Sequence, residues 1–265
     1  MKKKRRIPYP IKVAFNCIIY AIFFAYMIQQ IITTEDPSLR LFVIFLTVVF
    51  GGSAVLYEYL RYNFDVATQN LIFWGDPEKA LTMVDRVSKL DILKTFSTSI
   101  DIMHMLAYVD LRRFDDLKKY IAGLTDEKRQ VYDVLIVLRY AQMVMYGETG
   151  ETEKMENAYR QLNAMRDRKV KGKRMKGSLF FNWDLMAGLR RFYQGSSMEA
   201  LTKLKEVDTE NMNFRERMQL YMTQARICAK VGRLGELKNH IEELDKVVGK
   251  NPVARKMLEE MKAMV

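Results

Sequence analysis

The chain has 265 residues, 49% of them hydrophobic, with 43 Lys plus Arg against 32 Asp plus Glu and a formal charge of +11, enough for one large domain or a smaller one behind a membrane segment. Only 5 Pro and 13 Gly occur, which argues against a long disordered tract and against a turn-rich all-β fold, so helix is expected throughout. Cys17 and Cys228 have no CxxC neighbour, which excludes a disulfide framework and a Cys-based zinc site; His104 and His240 lie far apart without a second ligand at metal spacing, which argues against a His-rich metal centre.

The positive charge is not spread evenly. Residues 1–62 hold 8 basic and 3 acidic side chains, and in the remainder the excess is accounted for by one segment, Arg166 to Lys176, with seven basic residues and one acid. A general polyanion-binding surface would distribute its cations over a face.

In chain order, residues 1–12 form a basic amino-terminal segment carrying Lys2, Lys3, Lys4, Arg5, Arg6 and Lys12. From Val13 to Ile32 runs an apolar stretch of about 20 residues, which at ~1.5 Å per residue matches the ~30 Å hydrocarbon core of a bilayer. After the short acidic link TTEDPS, Leu39 to Leu60 gives a second span, so residues 13–60 are expected to form a two-helix transmembrane hairpin. The cations precede the first span and only Arg40 accompanies Glu35 and Asp36 in the link; both termini are therefore expected in the cytoplasm of a cell whose plasma membrane holds the chain. The stretch is too long for a signal-peptide core and lacks an A-x-A site. Small residues recur at helical spacing, Ala14, Cys17, Ala21 and Ala25 in the first span and Thr47, Gly51 and Ala54 in the second. An antiparallel hairpin would set Ala21 against Gly51 and Ala25 against Thr47, allowing close backbone approach.

Beyond residue 60 the apolar residues keep helical spacing, broken by a recurring phrase of which GDPEKAL at Gly75 is the first instance. Comparable turns occur at Arg112, Gly150, Gly195 and Gly232, separated by 37, 38, 45 and 37 residues, a helix-hairpin period. Capping signals fit: Thr125 opens a helix before Asp126 and Glu127, Gly249 stops one, and Asn251 with Pro252 starts a last helix to about Met264. That helix, with Val253, Met257 and Met261 on one side, is expected to cap the array.

This pattern resembles the tetratricopeptide repeat family over roughly residues 63 to 250. Tyr108 and Tyr146 match its aromatic before the turn, Ala80 and Ala200 its small residue after it, Gly188 its first-helix glycine and Tyr159 its large second-helix residue. Leu71, Arg191 and Cys228 replace the aromatic, Leu117, Met155 and Leu237 replace the small residue, and the repeat-terminal proline is missing. The resemblance implies an all-α fold in which residues 61–265 form a solenoid of about five degenerate helix pairs with a capping helix. It further implies a scaffold that holds a protein or peptide in the concave face lined by the first helix of each pair. Stacked pairs would supply one another's core along an elongated superhelix.

No catalytic constellation emerges. Asp101 precedes His104 by three residues, but no nucleophile or oxyanion loop accompanies them, and a helix hydrogen bond accounts for the histidine. Asp115 and Asp116 are adjacent and point to different helix faces; no phosphate-binding glycine motif occurs. Met83, Met103, Met105, Met143 and Met145 fall at core spacing. The sequence is thus read as a non-enzymatic adaptor without metal or cofactor, or alternatively as an accessory subunit of a membrane complex assembled through its hairpin. The remaining candidate site is the basic segment Arg166, Arg168, Lys169, Lys171, Lys173, Arg174 and Lys176, a loop suited to anionic headgroups or an acidic partner. Nucleic acid is disfavoured because no aromatic residue is interleaved for base stacking.

Overall fold

The computed structural model describes residues 9–166, 169–170, 173–174, 182–210 and 212–265, without the side chains of 9–14, 17, 169, 170, 173 and 174. Among these residues the chain forms thirteen helices and one antiparallel pair of two-residue strands, β1 (Lys169–Val170) and β2 (Lys173–Arg174). It divides into two compact units, residues 1–62 and 63–265.

The first unit contains α1 (Tyr9–Thr33) and most of α2 (Pro37–Ile72). The link between them is tightly made: the Asp36 carboxylate accepts from the backbone N–H groups of Ser38 and Leu39 at the start of α2, and Arg40 donates twice to the Thr34 carbonyl, at 3.0 and 2.7 Å. Helix α2 is long and apolar enough to cross a membrane, and only 6% of its apolar window is buried; the apolar stretch of α1, Ile18–Thr33, is shorter.

The face that α1 turns towards α2 is aromatic rather than small. A Cβ added to buried Gly51 would lie 2.7 Å from Cε1 of Phe24, so the ring fills the notch that the glycine leaves. Ala21 and Ala25 are exposed, and the atoms nearest a Cβ on Gly51 belong to Phe24 rather than to Ala21; Thr47 and Ala54 lie half-buried on α2. Hydrogen bonding accounts for this rotation. Asn16 Nδ2 and the Tyr20 hydroxyl both donate to Glu58 Oε1, at 2.8 and 3.2 Å, and turning the small stripe inward would carry these polar groups away from their partner. The side chains of Ala14 and Cys17 lie outside the description.

The second unit is a succession of helix pairs. The end of α2 leads through the Gly75 turn into α3 (Pro77–Leu90), which packs on α4 (Ser97–Asp110); α4 pairs with α5 (Phe114–Gly123), and α7 (Tyr132–Glu148) with α8 (Thr152–Met165). Then α9 (Trp183–Tyr193) pairs with α10 (Ser197–Lys205) and α11 (Phe214–Val231) with α12 (Leu234–Val247). The short α6 (Asp126–Gln130), capped by Thr125, leads into α7, and α13 (Pro252–Lys262), capped by Asn251, ends the array. Between α2 and α3, and between the two helices of each pair, stands one residue of positive φ: Gly75 (55°), Arg112 (53°), Gly150 (77°), Gly195 (85°) and Gly232 (74°). Such a residue reverses the chain within three or four positions.

Within the pairs the core is Leu, Val, Ala and Met. Ala80 and Ala200 are fully buried, as are Met103, Met105, Met143 and Met145, while Met83 is half-buried. A Cβ on Gly188 would meet the Leu204 side chain at 2.4 Å, so α9 and α10 approach closely there. On α13 the buried positions are Ala254, Leu258 and Met261, a face shifted by one residue from the expected Val253, Met257 and Met261.

The array does not remain open. The backbone N–H of Lys250 donates to the carbonyls of Gly75 and Trp74 at 3.0 and 3.3 Å, Asn251 Nδ2 donates to the Asp110 carbonyl at 3.1 Å, and Arg112 reaches Met257. The last turn therefore meets the first two, where an elongated superhelix would have kept them apart. Gly75 and Gly249 permit this: a Cβ on Gly249, itself at φ 57°, would lie 2.4 Å from the Trp74 carbonyl oxygen.

Candidate functional site

The helices expected to line a concave face are α4, α7, α9 and α11, and their inward side chains are already engaged with one another. Arg215 donates to Asp110 through Nε and Nη2, at 2.6 and 2.7 Å, in a bidentate pair with both side chains almost fully buried. Its Nη2 also lies 3.3 Å from the Tyr140 hydroxyl, which donates to Gln219 at 3.1 Å. Next to this set, Glu148 accepts from Arg226 at 2.6 and 3.0 Å, from the Tyr193 hydroxyl at 3.1 Å, and from Arg112. The Arg226 guanidinium stacks 4.9 Å from the Phe192 ring centre.

Electrostatics follow from burial. Desolvation pushes the Asp110 carboxyl up, against the pull of Arg215, and pushes the Tyr193 hydroxyl up as well, so it stays a donor to Glu148. Burial, and then the neighbouring Arg226 charge, lower Arg112, and burial lowers Arg226. Each of these charges is paired, as buried ions must be. A cavity of about 40 Å³ remains between α4, α7, α11 and α13, bordered by Arg112, Glu148, Tyr193, Gln219, Arg226 and Asn251. It has room for a few waters. The arrangement locks helices together across large sequence distances.

Arg112 is the one repeat turn without glycine. A non-glycine residue at φ 53° carries backbone strain, and the Glu148 contact explains why an arginine is held there.

His104 is a structural residue of the α3–α4 contact. Its Nδ1 lies 3.0 Å from the Ile100 carbonyl one turn earlier, its Nε2 2.8 Å from Asp85 on α3, and its ring stacks on Tyr120 at 4.8 Å. Asp101 has different partners, the Tyr120 hydroxyl at 2.7 Å and the Lys128 ammonium at 2.8 Å.

Among the described residues the fold brings together one donor set that sequence spacing did not reveal: Cys228 on α11 with Glu236 and His240 on α12, their ligand atoms within 4.8 Å of one another. Glu236 and His240 stand one helical turn apart, and the missing third donor comes from the preceding helix. The Glu236 oxygens already accept from Lys205 at 2.7 Å and Arg233 at 2.9 Å, and burial and then Lys205 hold His240 below its ordinary value. A divalent cation would have to displace both cations from the carboxylate, so the donors suit an ion-paired helix junction better than a metal.

Of the basic segment, Arg166 ends α8 and its guanidinium lies 5.9 Å from the Trp183 ring centre; Lys169 pairs with Arg174 in the β1–β2 ladder, beside Lys173. Arg168, Lys171 and Lys176 lie outside the described residues. In the first unit the most distinctive surface is apolar: Phe15, Ile22 and Ile32 on α1, with Leu41, Phe45, Val48, Phe50 and Val55 on α2, are all exposed. Glu58, the acceptor for both Asn16 and Tyr20, stands out only once the two helices are paired.

No family model, no curated protein and no solved structure matches this chain.

Proposed function

We propose that the protein is a membrane-anchored helical scaffold, non-enzymatic, which holds a protein or peptide partner at the cytoplasmic face of the plasma membrane. The observation that carries this reading is the contrast between the two units. In the second, the large apolar side chains are mostly buried; in the first, Ile, Leu, Phe and Val side chains of α2 stand exposed along the length a bilayer core requires. Such a surface is stable in hydrocarbon and not in water, so α1 and α2 cross the membrane as a hairpin with both termini inside. The five left-handed turns, four of them between packed helix pairs, support a degenerate tetratricopeptide-like solenoid for the second unit. Because its inner face is occupied by its own charges, the partner surface lies on the outside, with the segment from Arg166 to Lys176 as the contact for acidic partners or anionic headgroups.

A second reading has its own observation. Ala21 and Ala25 face away from α2, which leaves a small-residue surface on α1 for a helix of another membrane protein, as in an accessory subunit assembled through the hairpin. Affinity capture from membranes with the full chain, and with a fragment beginning at Arg61, separates the two. A partner retained by the fragment and lost when Lys169, Lys171, Lys173 and Arg174 become Gln supports the scaffold. One retained only by the full chain and lost on Ala21→Leu with Ala25→Leu supports the subunit. Release of the full chain from membranes by alkaline carbonate would refute both.

A further inference from the structure

The loop joining α3 to α4 exposes Ile92 and Leu93 at 81% each, more than any other large apolar side chain among the described residues, those of α1 and α2 included. This exposure is held in place by the loop's own construction. The Asp91 side chain is buried, its Oδ1 accepting from the Thr95 N–H at 2.9 Å and its Oδ2 from the Phe96 N–H at 2.7 Å, and Lys94 N–H closes the turn on the Asp91 carbonyl at 3.0 Å. Lys94 itself sits at φ 53°. With its base anchored in this way, the tip projects two adjacent apolar side chains into the surroundings.

The loop's place in the second unit gives those surroundings. Helix α3 runs back along the end of α2: Asn70 meets Met83, and nearer the start of the unit the Phe64 and Phe96 rings lie 5.7 Å apart. Phe64 is the second residue of the unit and follows Leu60, where the apolar stretch of α2 ends, by one helical turn, about 6 Å along the axis. Within the second unit, the tip is thus at the end that holds the unit's first residues. Around it Arg86, Lys89 and Lys94 are exposed, and Leu90 is exposed beside them, while the one carboxylate of the loop is buried and committed to backbone donors. Asp85, a turn further back on α3, is engaged by His104.

We infer that the Asp91–Phe96 loop is a second membrane contact, in which Ile92 and Leu93 enter the acyl boundary of the bilayer and Arg86, Lys89 and Lys94 lie among the headgroups. Interfacial segments bury an apolar edge by about 5–10 Å and keep cations at the headgroup level, the distribution found here. The inference rests on the anchored reading above and adds a contact that the second unit itself makes with the bilayer.

The test uses the full chain in nanodiscs of phosphatidylcholine with phosphatidylglycerol, spin-labelled at one introduced cysteine in a background where Cys17 and Cys228 are Ser. Labels go at Leu93→Cys, at Ile92→Cys, at Val48→Cys on the exposed side of α2, and at Glu242→Cys on the outside of α12; all four side chains are exposed, so the fold tolerates them. Collision with oxygen, which partitions into lipid, is compared with collision with a water-soluble nickel chelate. The expected result is a lipid pattern at 48, 92 and 93 and an aqueous pattern at 242. Lipid at 48 with water at both 92 and 93 overturns the second contact and leaves the anchor standing. Water at 48 overturns the anchor, and the second contact with it.

Discussion

Arg112 stands in a left-handed backbone position that the other four repeat turns give to glycine, and two opposing effects meet on it. Replacing it by Gly relieves a strain of roughly 1 kcal/mol, and replacing it by Ala does not, but both remove the contact with Glu148. Because Arg226 keeps Glu148 paired, the lost contact should cost about 1–3 kcal/mol. Thermal unfolding should therefore rank wild type above Arg112→Gly and that above Arg112→Ala; an Ala variant as stable as the Gly variant would show that the turn carries no strain. Arg215 is a harder case, since among the described residues no other cation pairs with Asp110. Arg215→Met strands a buried carboxylate and should cost about 3–5 kcal/mol, with much of the loss recovered when Asp110 becomes Asn in the same chain. The imidazole of His240, held down by burial and Lys205, is protonated less readily in the folded chain than in the unfolded one. Its contribution is complete above the ordinary value of 6.5 and is lost as pH falls through the lower folded value. Asp110, with its folded value raised, acts with the opposite sign, so wild type must be compared with His240→Gln rather than with itself. The melting temperature of wild type should drop more between neutral and mildly acidic buffer than that of the variant.

At the scale of elements, the pairing of α1 with α2 depends on Glu58 and Gly51. Glu58→Gln keeps an acceptor for Asn16 and Tyr20, whereas Glu58→Leu leaves both without a partner and should loosen the pair by roughly 1 kcal/mol. Gly51→Leu drives a side chain into the Phe24 ring and should cost about 1–3 kcal/mol. Unfolding in detergent micelles should thus rank Gln above Leu at position 58. Equal stability there would mean that the aromatic contact alone sets the register. This interface was only partly legible in the sequence. Hydropathy located the apolar segments, and Thr47, Gly51 and Ala54 lie on the packed side of α2. On α1 the small residues Ala21 and Ala25 are exposed while Asn16 and Tyr20 reach Glu58, since spacing within one helix does not register an acceptor that lies 42 residues away on another. The same reason explains what was read well in the second unit and what was not. The turns are local, and the period of Gly75, Gly150, Gly195 and Gly232 marks them; the caps at Thr125 and Asn251 are local too. The inner charge pairs join residues 105 and 78 positions apart, and no periodicity announces them. Nor did an elongated reading anticipate that Gly249 would meet Trp74 and Gly75.

For the whole molecule, the proposed anchor turns on which side of the bilayer the α1–α2 link and the carboxyl terminus would occupy. Six cations precede the first apolar segment, and the link between α1 and α2 holds Arg40 with Glu35 and Asp36. Cations near the ends of spans are retained in the cytoplasm, so on the proposed anchored reading the amino-terminal cluster would set the orientation and the link would cross to the outside. Arg40 does not weigh against this, because both of its donating nitrogens are bound to the Thr34 carbonyl at the head of the turn, where it closes the end of α1. A cysteine at exposed Ser38, in a background without Cys17 and Cys228, should react with an impermeant maleimide added to intact cells, and a reporter fused after Val265 should remain inside. Protection at 38 with the reporter outside would reverse the orientation. Protection at 38 with the reporter inside would mean that α1 and α2 enter the bilayer without crossing it, and the exposed apolar side chains of α2 would then have to be covered by another protein. Labelling at 38 with an internal carboxyl terminus requires one crossing, by α2; a second reporter at the amino terminus decides the rest, since an internal one adds the crossing by α1 that completes the hairpin and an external one would leave α2 as the single span.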